Sequence, residues 1–289
     1  MANTIFGLRA ETSIHAGTGQ NIGGVDLPIQ REAHTDWPCV FGSAMKGALR
    51  NHAETRGNLD KASIPLVFGP VAESSKASDH AGALAVTDAR ILLLPVRSLT
   101  GHFKWVTCPA VLKRLNRDLE MIGRSTIFTM PHELSAGAVA TPDDSDPIFL
   151  EEFQLTQTPT DLKDVITELT KFGIEQVELE SQLVVMCNND FTDFCRTATA
   201  VTPHIAIEND KKTVRGGSLW YEETLPPDTL LYVMLLANGA RNGVTPQLSD
   251  TEVLGKVTGM FTGENKPYLQ IGGNETVGMG WCRVKEVTS

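Results

Sequence analysis

The run Ile271-Gly272-Gly273-Asn274-Glu275-Thr276-Val277-Gly278-Met279-Gly280, leading straight into Trp281-Cys282-Arg283-Val284, decides the fold class. Its glycines suggest a dinucleotide fingerprint, but the Gly-x-Gly-x-x-Gly order is absent. The residues that follow read as a strand, whereas a phosphate-binding βα turn must open a helix. Gly272, Gly278 and Gly280 instead suit either a plain hairpin turn or a loop whose backbone closely approaches a ligand or another chain. Upstream lie β-prone stretches at 229–237 and 267–272. Between them a helix is predicted over 250–261, where Ser249 and Glu252 form a capping box before Val253, Leu254, Val257 and Phe261.

Working back toward the N-terminus, residues 3–14 read as a strand and 16–30 as a glycine-rich loop. A helix is expected over 43–56, with Ser43 as N-cap and Met45, Leu49 and His52 at helical spacing. Residues 83–94 read as one or two buried strands. The helix expected at 109–122 has Pro109 in its first turn and an apolar side of Val111, Leu112, Leu115, Leu119 and Ile122. Lys113, Arg114 and Arg117 are assigned to its outer face. Weak periodicity and acidic clusters make 124–160 an expected insertion or mobile loop. Shorter helices are predicted at 161–172 and 190–199, and strands at 177–186 and 281–287. This is an α+β pattern built on antiparallel strands, without a regular βαβ alternation.

With 289 residues, 41% hydrophobic and 21% charged, the chain suits one large domain or two small ones. It has no run of eighteen apolar residues and no basic-then-apolar start, so neither a membrane span nor a secretory signal is expected. Cys39, Cys108, Cys187, Cys195 and Cys282 are scattered without a Cys-x-x-Cys pair, which points to a reduced, cytoplasmic setting. The net charge of −10 is polarised. Residues 143–180 hold eleven acids against two bases, and residues 90–124 hold seven bases against two acids. A local basic face is compatible with that pattern; uniform adhesion to polyanions is not.

Five places invite a functional reading. Asp26 in the glycine-rich loop, with His15 upstream, is either a solvated aspartate near a core histidine or a carboxylate able to bind a divalent cation or accept a proton. Gly42 to Arg50 is either an ordinary capped helix or a phosphate cradle, with Ser43 at its start and Lys46 and Arg50 spaced i, i+4. The closing glycine loop is the third place. In the fourth, residues 201–226 read as a hairpin with Lys211, Lys212 and Arg215 near its tip and Tyr221, Glu222 and Glu223 at its base. Such an arm can wedge between stacked bases or stand unpartnered. Last, Arg97 in Pro95-Val96-Arg97-Ser98 could be presented at a strand end. Zinc-type cysteine spacing, His-Glu-x-x-His, a nucleophile elbow and a Walker loop are all absent.

The order of these segments resembles the repeated backbone subunits of type III-B CRISPR (Cmr) effector ribonucleoproteins, Cas-seven-like members of the RAMP superfamily. His15-Ala16-Gly17, Val25 to Glu32, His34 to Pro38, and Gly42 to Arg50 carry the resemblance first. Thr87 to Arg90, Pro95 to Ser98, Trp105 to Pro109 and Leu219 to Glu223 follow, and Gly272 with Gly278-x-Gly280 fits the superfamily's terminal glycine signature. The resemblance runs nearly end to end.

It implies an RRM-like (ferredoxin-like) palm with inserted helical elements and a protruding β-hairpin thumb. The whole of 1–289 would form a single RAMP/RRM-like domain, with an insertion at about 124–160 and the thumb at about 201–219. It further implies a cytoplasmic helical filament of copies on a guide (CRISPR) RNA, joined by other Cmr subunits and a target RNA, with no membrane partner. Each thumb would displace one nucleotide, and the target would be cut beside it. Asp26 matches the cleavage residue, with His15, Tyr221 and Glu222 near it. Lys46 and Arg50 match the guide-holding helix, and Ser43, Arg97, Lys211, Lys212, Arg215, Gly272, Gly273, Gly278 and Gly280 join the expected RNA-binding set. Asp26 is expected to hold Mg2+ (or Mn2+) or to act as base, giving a 5′-hydroxyl and a cyclic phosphate. The thumb is less basic than relatives would suggest. Two alternatives are a non-catalytic guide-RNA scaffold and a stand-alone, metal-independent endonuclease that processes repeat RNA with His15 as acid–base.

Overall fold

The computed structural model describes residues 1–21, 23–57, 59–70, 80–124, 134–142, 147–241, 247–263 and 266–287. The chain opens with β1 (Ala2–Ala10), β2 (Cys39–Val40), α1 (Gly42–Thr55) and α2 (Ser63–Phe68). Next come β3 (Leu84–Val86), β4 (Ala89–Arg97), β5 (Phe103–Thr107) and α3 (Pro109–Met121). β6 (Ala138–Thr141), β7 (Ile148–Leu150) and β8 (Phe153–Pro159) precede α4 (Lys163–Thr170), α5 (Gln176–Gln182), β9 (Leu183–Met186) and α6 (Asn188–Thr197). The last part holds β10 (Ala200–Glu208), β11 (Thr213–Thr224), β12 (Leu230–Ala237), α7 (Asp250–Thr258), β13 (Tyr268–Gln270) and β14 (Trp281–Glu286).

One large sheet runs β13-β14-β1-β12-β4-β5-β9-β6-β8-β7, with β2 also paired to β4 and β3 to β12. Along that path the pairs are antiparallel except β5–β9 and β6–β8. At its centre β14, β1, β12 and β4 lie side by side; α1 lies between β1 and β4 in the chain, and α7 between β12 and β14. β12 is buried along nearly its whole length, which is why Leu230 to Leu235 reads as a continuous apolar run rather than an alternation. On α1, Met45, Leu49, His52 and Ala53 form the buried stripe, and the helix packs by that face.

Three expectations need correction, and a fourth, that for 124–160, becomes more specific. Helix α1 starts at Gly42, with Phe41 in the N-cap position and no side-chain cap, so Ser43 does not cap it. The Asp88 carboxylate accepts the Gly42 N–H at 2.7 Å and satisfies that end from outside the helix. Residues 176–182 are helical rather than extended, because Glu175 and Glu178 form a capping box that starts α5 before the apolar strand Leu183–Met186. The stretch 124–160 contributes β6, β7 and β8 to the large sheet; its residues 125–133 and 143–146 lie outside the described set. Arg114 points inward, 9% exposed, donating to Glu32 with its guanidinium over the Trp37 ring.

Among the described residues of the acidic segment 143–180, several carboxylates are paired within the chain. Glu168 is 1% exposed between Arg124 and Lys171, Glu178 meets Arg9, and Glu151 meets Arg97. Buried Glu168 needs its cationic partners, whereas the Glu151 and Glu178 pairs lie nearer the surface and neutralise part of the segment's charge there.

Candidate functional site

The Asp26 loop is stitched onto the base of the β10–β11 hairpin. Leu27 pairs in parallel with Glu222, the Leu27 N–H donates to the Tyr221 carbonyl at 3.0 Å, and the Glu223 N–H donates to the Leu27 carbonyl at 3.0 Å. The Tyr221 N–H donates to Asp26 Oδ2 at 2.8 Å, and the Asn21 N–H donates to the Asp26 carbonyl at 2.9 Å. The second carboxylate oxygen receives no hydrogen bond from the described residues. Asp26 therefore sits with one oxygen fixed, at the edge of a cleft of about 590 Å³ lined also by Gln20, Asn21, Ser218 and Trp220.

Beneath that surface lies a buried polar layer. His15, 9% exposed, donates through Nδ1 to the Glu223 carbonyl at 2.8 Å and lies 3.7 Å from Glu222 Oε1. Glu222 is 4% exposed and accepts from Asn274 Nδ2. Glu223 Oε1 accepts from Arg31 at 2.5 Å and from the Thr199 hydroxyl at 2.7 Å, while Oε2 accepts the Ile29 N–H at 3.1 Å. His15 Nε2 faces Gly17 so closely that a Cβ there would lie 2.6 Å from it. Of the four residues assigned to chemistry from the sequence, Asp26 and Tyr221 reach solvent, and His15 and Glu222 support them from below.

The closing loop wraps the same place. The Gly273 N–H donates to the His15 carbonyl at 2.8 Å, and the Gly280 N–H donates to the Ser13 carbonyl at 2.8 Å. Gly272 and Gly280 have φ of 81° and 84°, and a Cβ on either would collide with backbone, that of His15 and Ile271 respectively. Close approach of backbone is indeed what these two glycines permit, and the backbone approached is the protein's own. Gly278 (φ 85°) has open space where a Cβ would point.

The expected RNA-binding cations are not one patch. Lys211, Lys212 and Arg215 are exposed at the far end of the hairpin, with Lys211 only 3.9 Å from Glu208. Lys46 lies on α1 beside exposed Ser43, its ammonium pKa lowered by burial and by Arg50. Arg50 itself is held by Glu54 at 2.9 Å and by the Gly69 carbonyl at 3.0 Å. Arg97 ends β4 and is paired with Glu151 at 2.8 Å, so it is not a free strand-end cation.

Among the described residues no three His, Cys, Asp or Glu side chains converge as a metal cage. One half-free carboxylate still fits Mg2+, which commonly takes one or two carboxylates and fills its remaining positions with water and substrate phosphate. The residue that would hold it is Asp26.

Sequence reading missed Arg31, Asn274 and the His204–Trp220 pair. Arg31 also donates to the Asp36 and Cys195 carbonyls and so ties the loop to α6. Asn274 adopts φ 62°, and an asparagine embedded among glycines was an available signal for that left-handed turn. His204 and Trp220 are cross-strand partners with ring planes 16° apart and centroids at 5.6 Å. The alternation on both strands could have placed them on one face.

Residues 8–283 match the model of the RAMP superfamily. The chain is 39% identical to the CRISPR system Cmr endoribonuclease Cmr4 of Pyrococcus furiosus, over 99% of this chain and 96% of that protein. It superposes on the crystal structure of oligomeric Cmr4 from the same organism with a TM-score of 0.76 and 31% identity, covering both chains completely. A chain of the type III-B Cmr-beta complex bound to cognate target RNA shares the fold, with a TM-score of 0.76 at 21% identity over 99% of this chain and 98% of that one. The family model spans nearly all of the sequence and the full-length relative exceeds any chance likeness, so this chain belongs to the RAMP superfamily and, within it, to the Cmr4 family.

Proposed function

We propose that the chain is a repeated backbone subunit of a type III-B CRISPR ribonucleoprotein that binds guide RNA and cuts the paired target RNA at regular intervals. One observation carries the reading: a carboxylate, Asp26, is pinned by the Tyr221 N–H at the mouth of an open cleft where a separate two-stranded hairpin joins the main sheet. The full-length relative named as an endoribonuclease supports the activity, and oligomeric Cmr4 supports assembly with further copies. Guide RNA, target RNA and other Cmr subunits are the remaining partners. Among the described residues no helix is long and apolar enough to cross a membrane.

The strand order β14-β1-β12-β4, with α1 and α7 as the two crossovers, supports reading that region as an RRM-like palm within a single domain over 1–289. The β10–β11 hairpin is its thumb, with β6 to β8 as an inserted edge of the sheet. Along the thumb Pro203 pairs with Tyr221, Ile205 with Leu219, and Ile207 with Val214, and the five apolar side chains among them from Ile205 to Tyr221 are exposed. An apolar ribbon of that kind competes for base faces with stacking worth roughly 1–3 kcal/mol per base.

A nucleotide pushed out of stack lets the neighbouring 2′-oxygen line up with its own phosphorus and the departing 5′-oxygen, so orientation supplies much of the rate. In the reaction the 2′-oxygen bonds to phosphorus, the P–O5′ bond breaks, and the products are a 2′,3′-cyclic phosphate and a 5′-hydroxyl. Asp26, through its unbonded oxygen, accepts the 2′-hydroxyl proton or ligates the metal. Mg2+ (or Mn2+), bound with the RNA, would neutralise charge building on the phosphate. His15 and Glu222 act as positioning residues: the His15 ring is 9% exposed, and its Nδ1 donates to the Glu223 carbonyl, which fixes the ring beside Glu222 beneath the Asp26 surface.

Target cutting by the assembled complex tests the assignment. Asp26→Asn is expected to lower the rate by about 10² to 10⁴-fold while guide binding persists. Undiminished cutting rejects Asp26, and cutting that survives EDTA removes the metal from the account.

A further inference from the structure

Within the closing glycine loop, the Asn274 side chain does something that the loop's own shape does not require. Asn274 adopts φ 62° and ψ 27°, a left-handed conformation that glycine adopts more readily than asparagine. Its carbonyl accepts the Val277 and Met279 N–H groups at 3.1 Å each, and any residue in that conformation would do the same. The loop is fastened by contacts that leave the Asn274 amide out. Gly273 and Gly280 donate to the His15 and Ser13 carbonyls, and Glu275 pairs with Arg56 at 3.0 Å. Gln270 Nε2 donates to the Gly272 and Met279 carbonyls at 3.2 Å each. What remains for the amide is Glu222. Asn274 Nδ2 donates to Glu222 Oε1, and no other hydrogen bond from the described residues reaches that carboxylate. The second contact of the amide is Met279 Sδ at 3.7 Å, a weak acceptor.

Glu222 is 4% exposed, at the root of the β10–β11 hairpin, and pairs in parallel with Leu27. On one side of it in the chain the Tyr221 N–H holds Asp26 Oδ2 at 2.8 Å. On the other, Glu223 holds Leu27 through its N–H and Ile29 through its carboxylate. Residues 221–223 thus grip the Asp26 loop. Among the described residues β10 and β11 pair with each other and with no strand of the large sheet. A ribbon attached in that way is a lever: load on its far end turns its root, and the Tyr221 N–H turns with it. Glu223 ties the root to the Asp26 loop, and Glu222 ties it to the closing loop. A buried carboxylate left without its donor is costly and reorients, which frees that second tie.

We propose that Asn274 is a positioning residue for target cutting: its amide, acting through Glu222, locks the hairpin root so that the Tyr221 N–H presents Asp26 to the scissile linkage. The inference rests on the reading of Asp26 as the cutting residue. The pair supplies orientation rather than charge, so it works whichever of the two positions brings the donor. Misplacing a group by about 1 Å through a change distant from the chemistry can cost about 10²-fold in rate.

The test measures single-turnover cutting and target affinity in the complex assembled on guide RNA. Asn274→Gly keeps the left-handed turn and removes the donor. It should cut about 10 to 10²-fold more slowly at saturating target, with target affinity and the chain's melting temperature unchanged. Asn274→Asp sets two carboxylates against each other and should cut no faster than Asn274→Gly. Combined with Glu222→Gln it rebuilds the hydrogen bond with donor and acceptor exchanged. Cutting should then recover about tenfold over Asn274→Asp alone, a non-additivity that two independent lesions would not show. Undiminished cutting by Asn274→Gly, a loss carried by target affinity instead of rate, or no recovery in the exchanged pair overturns the proposal. Asp26→Asn, assayed alongside, separates the two claims. If it cuts normally, the reading beneath the proposal falls and takes the proposal with it. If it is inactive while Asn274→Gly cuts normally, the Asn274 assignment alone is rejected.

Discussion

At the scale of single residues, the site depends on a carboxylate buried beneath its surface. Glu223, 6% exposed, gathers Arg31, Thr199 and the Ile29 N–H, and its own backbone holds His15 and Leu27. Removing it leaves the Arg31 guanidinium without its carboxylate partner in a largely buried position. Glu223→Ala should therefore destabilise the fold by about 3–5 kcal/mol, read as a lower urea midpoint. If the ion pair is the cause, Arg31→Met combined with Glu223→Leu should cost less than the two single changes added together. Simple additivity would mean that Glu223 acts through its backbone-directed bonds alone. The sequence could present Glu222-Glu223 as acidic residues at a hairpin base, but not which of the two turns to Arg31 and which to Asn274. That choice depends on a register set across some 190 residues of chain.

At the scale of elements, the glycine loop is the sharpest case of sequence and structure agreeing for different reasons. Its glycines signal close backbone approach, and the loop does approach backbone at Gly272 and Gly280, which pack on His15 and Ile271. The expected ranking of substitutions follows. Gly272→Ala and Gly280→Ala combine a left-handed backbone with a collision, and should lower the melting temperature strongly and disturb the His15 layer. Gly278→Ala carries only the left-handed cost, about 1–2 kcal/mol. Equal effects at the three positions would detach the loop's shape from these contacts. The helices α1, α3, α6 and α7 were legible because each carries an apolar stripe, a cap or a proline at its start. β6 to β8 were not, because short edge strands of mixed polarity show no period until the rest of the sheet supplies partners. The inward turn of Arg114 was hidden for a similar reason: its partners Glu32 and Trp37 come from a loop far away in sequence.

At the scale of the whole molecule, the proposed function asks a chain of net charge −10 to bind RNA through local charge, since the mean field repels a polyanion. Much of the basic inventory is held in ion pairs within the protein: Arg9, Arg31, Arg90, Arg114 and Arg124 in largely buried ones, and Arg97 in an exposed one. The hairpin keeps Lys211, Lys212 and Arg215 exposed at the far end of a ribbon, where reach compensates for their small number. Few phosphate contacts per copy imply weak binding by one copy and firm binding only when copies line up on a strand, where each added subunit raises the local concentration of the next. Native mass spectrometry with guide-length RNA should accordingly show multimers in regular steps of 31.4 kDa plus RNA, and a strict monomer indifferent to RNA would defeat the backbone reading. Salt supplies the finer measurement. For single strands log K falls with log salt by about 0.7 per phosphate neutralised, so Lys211→Ala with Lys212→Ala should reduce the slope by about 1.4 per bound copy. A slope left unchanged by the double substitution would move the proposed phosphate contacts off the hairpin and onto the α1 face around Lys46, leaving to the hairpin only the base displacement proposed for its apolar ribbon.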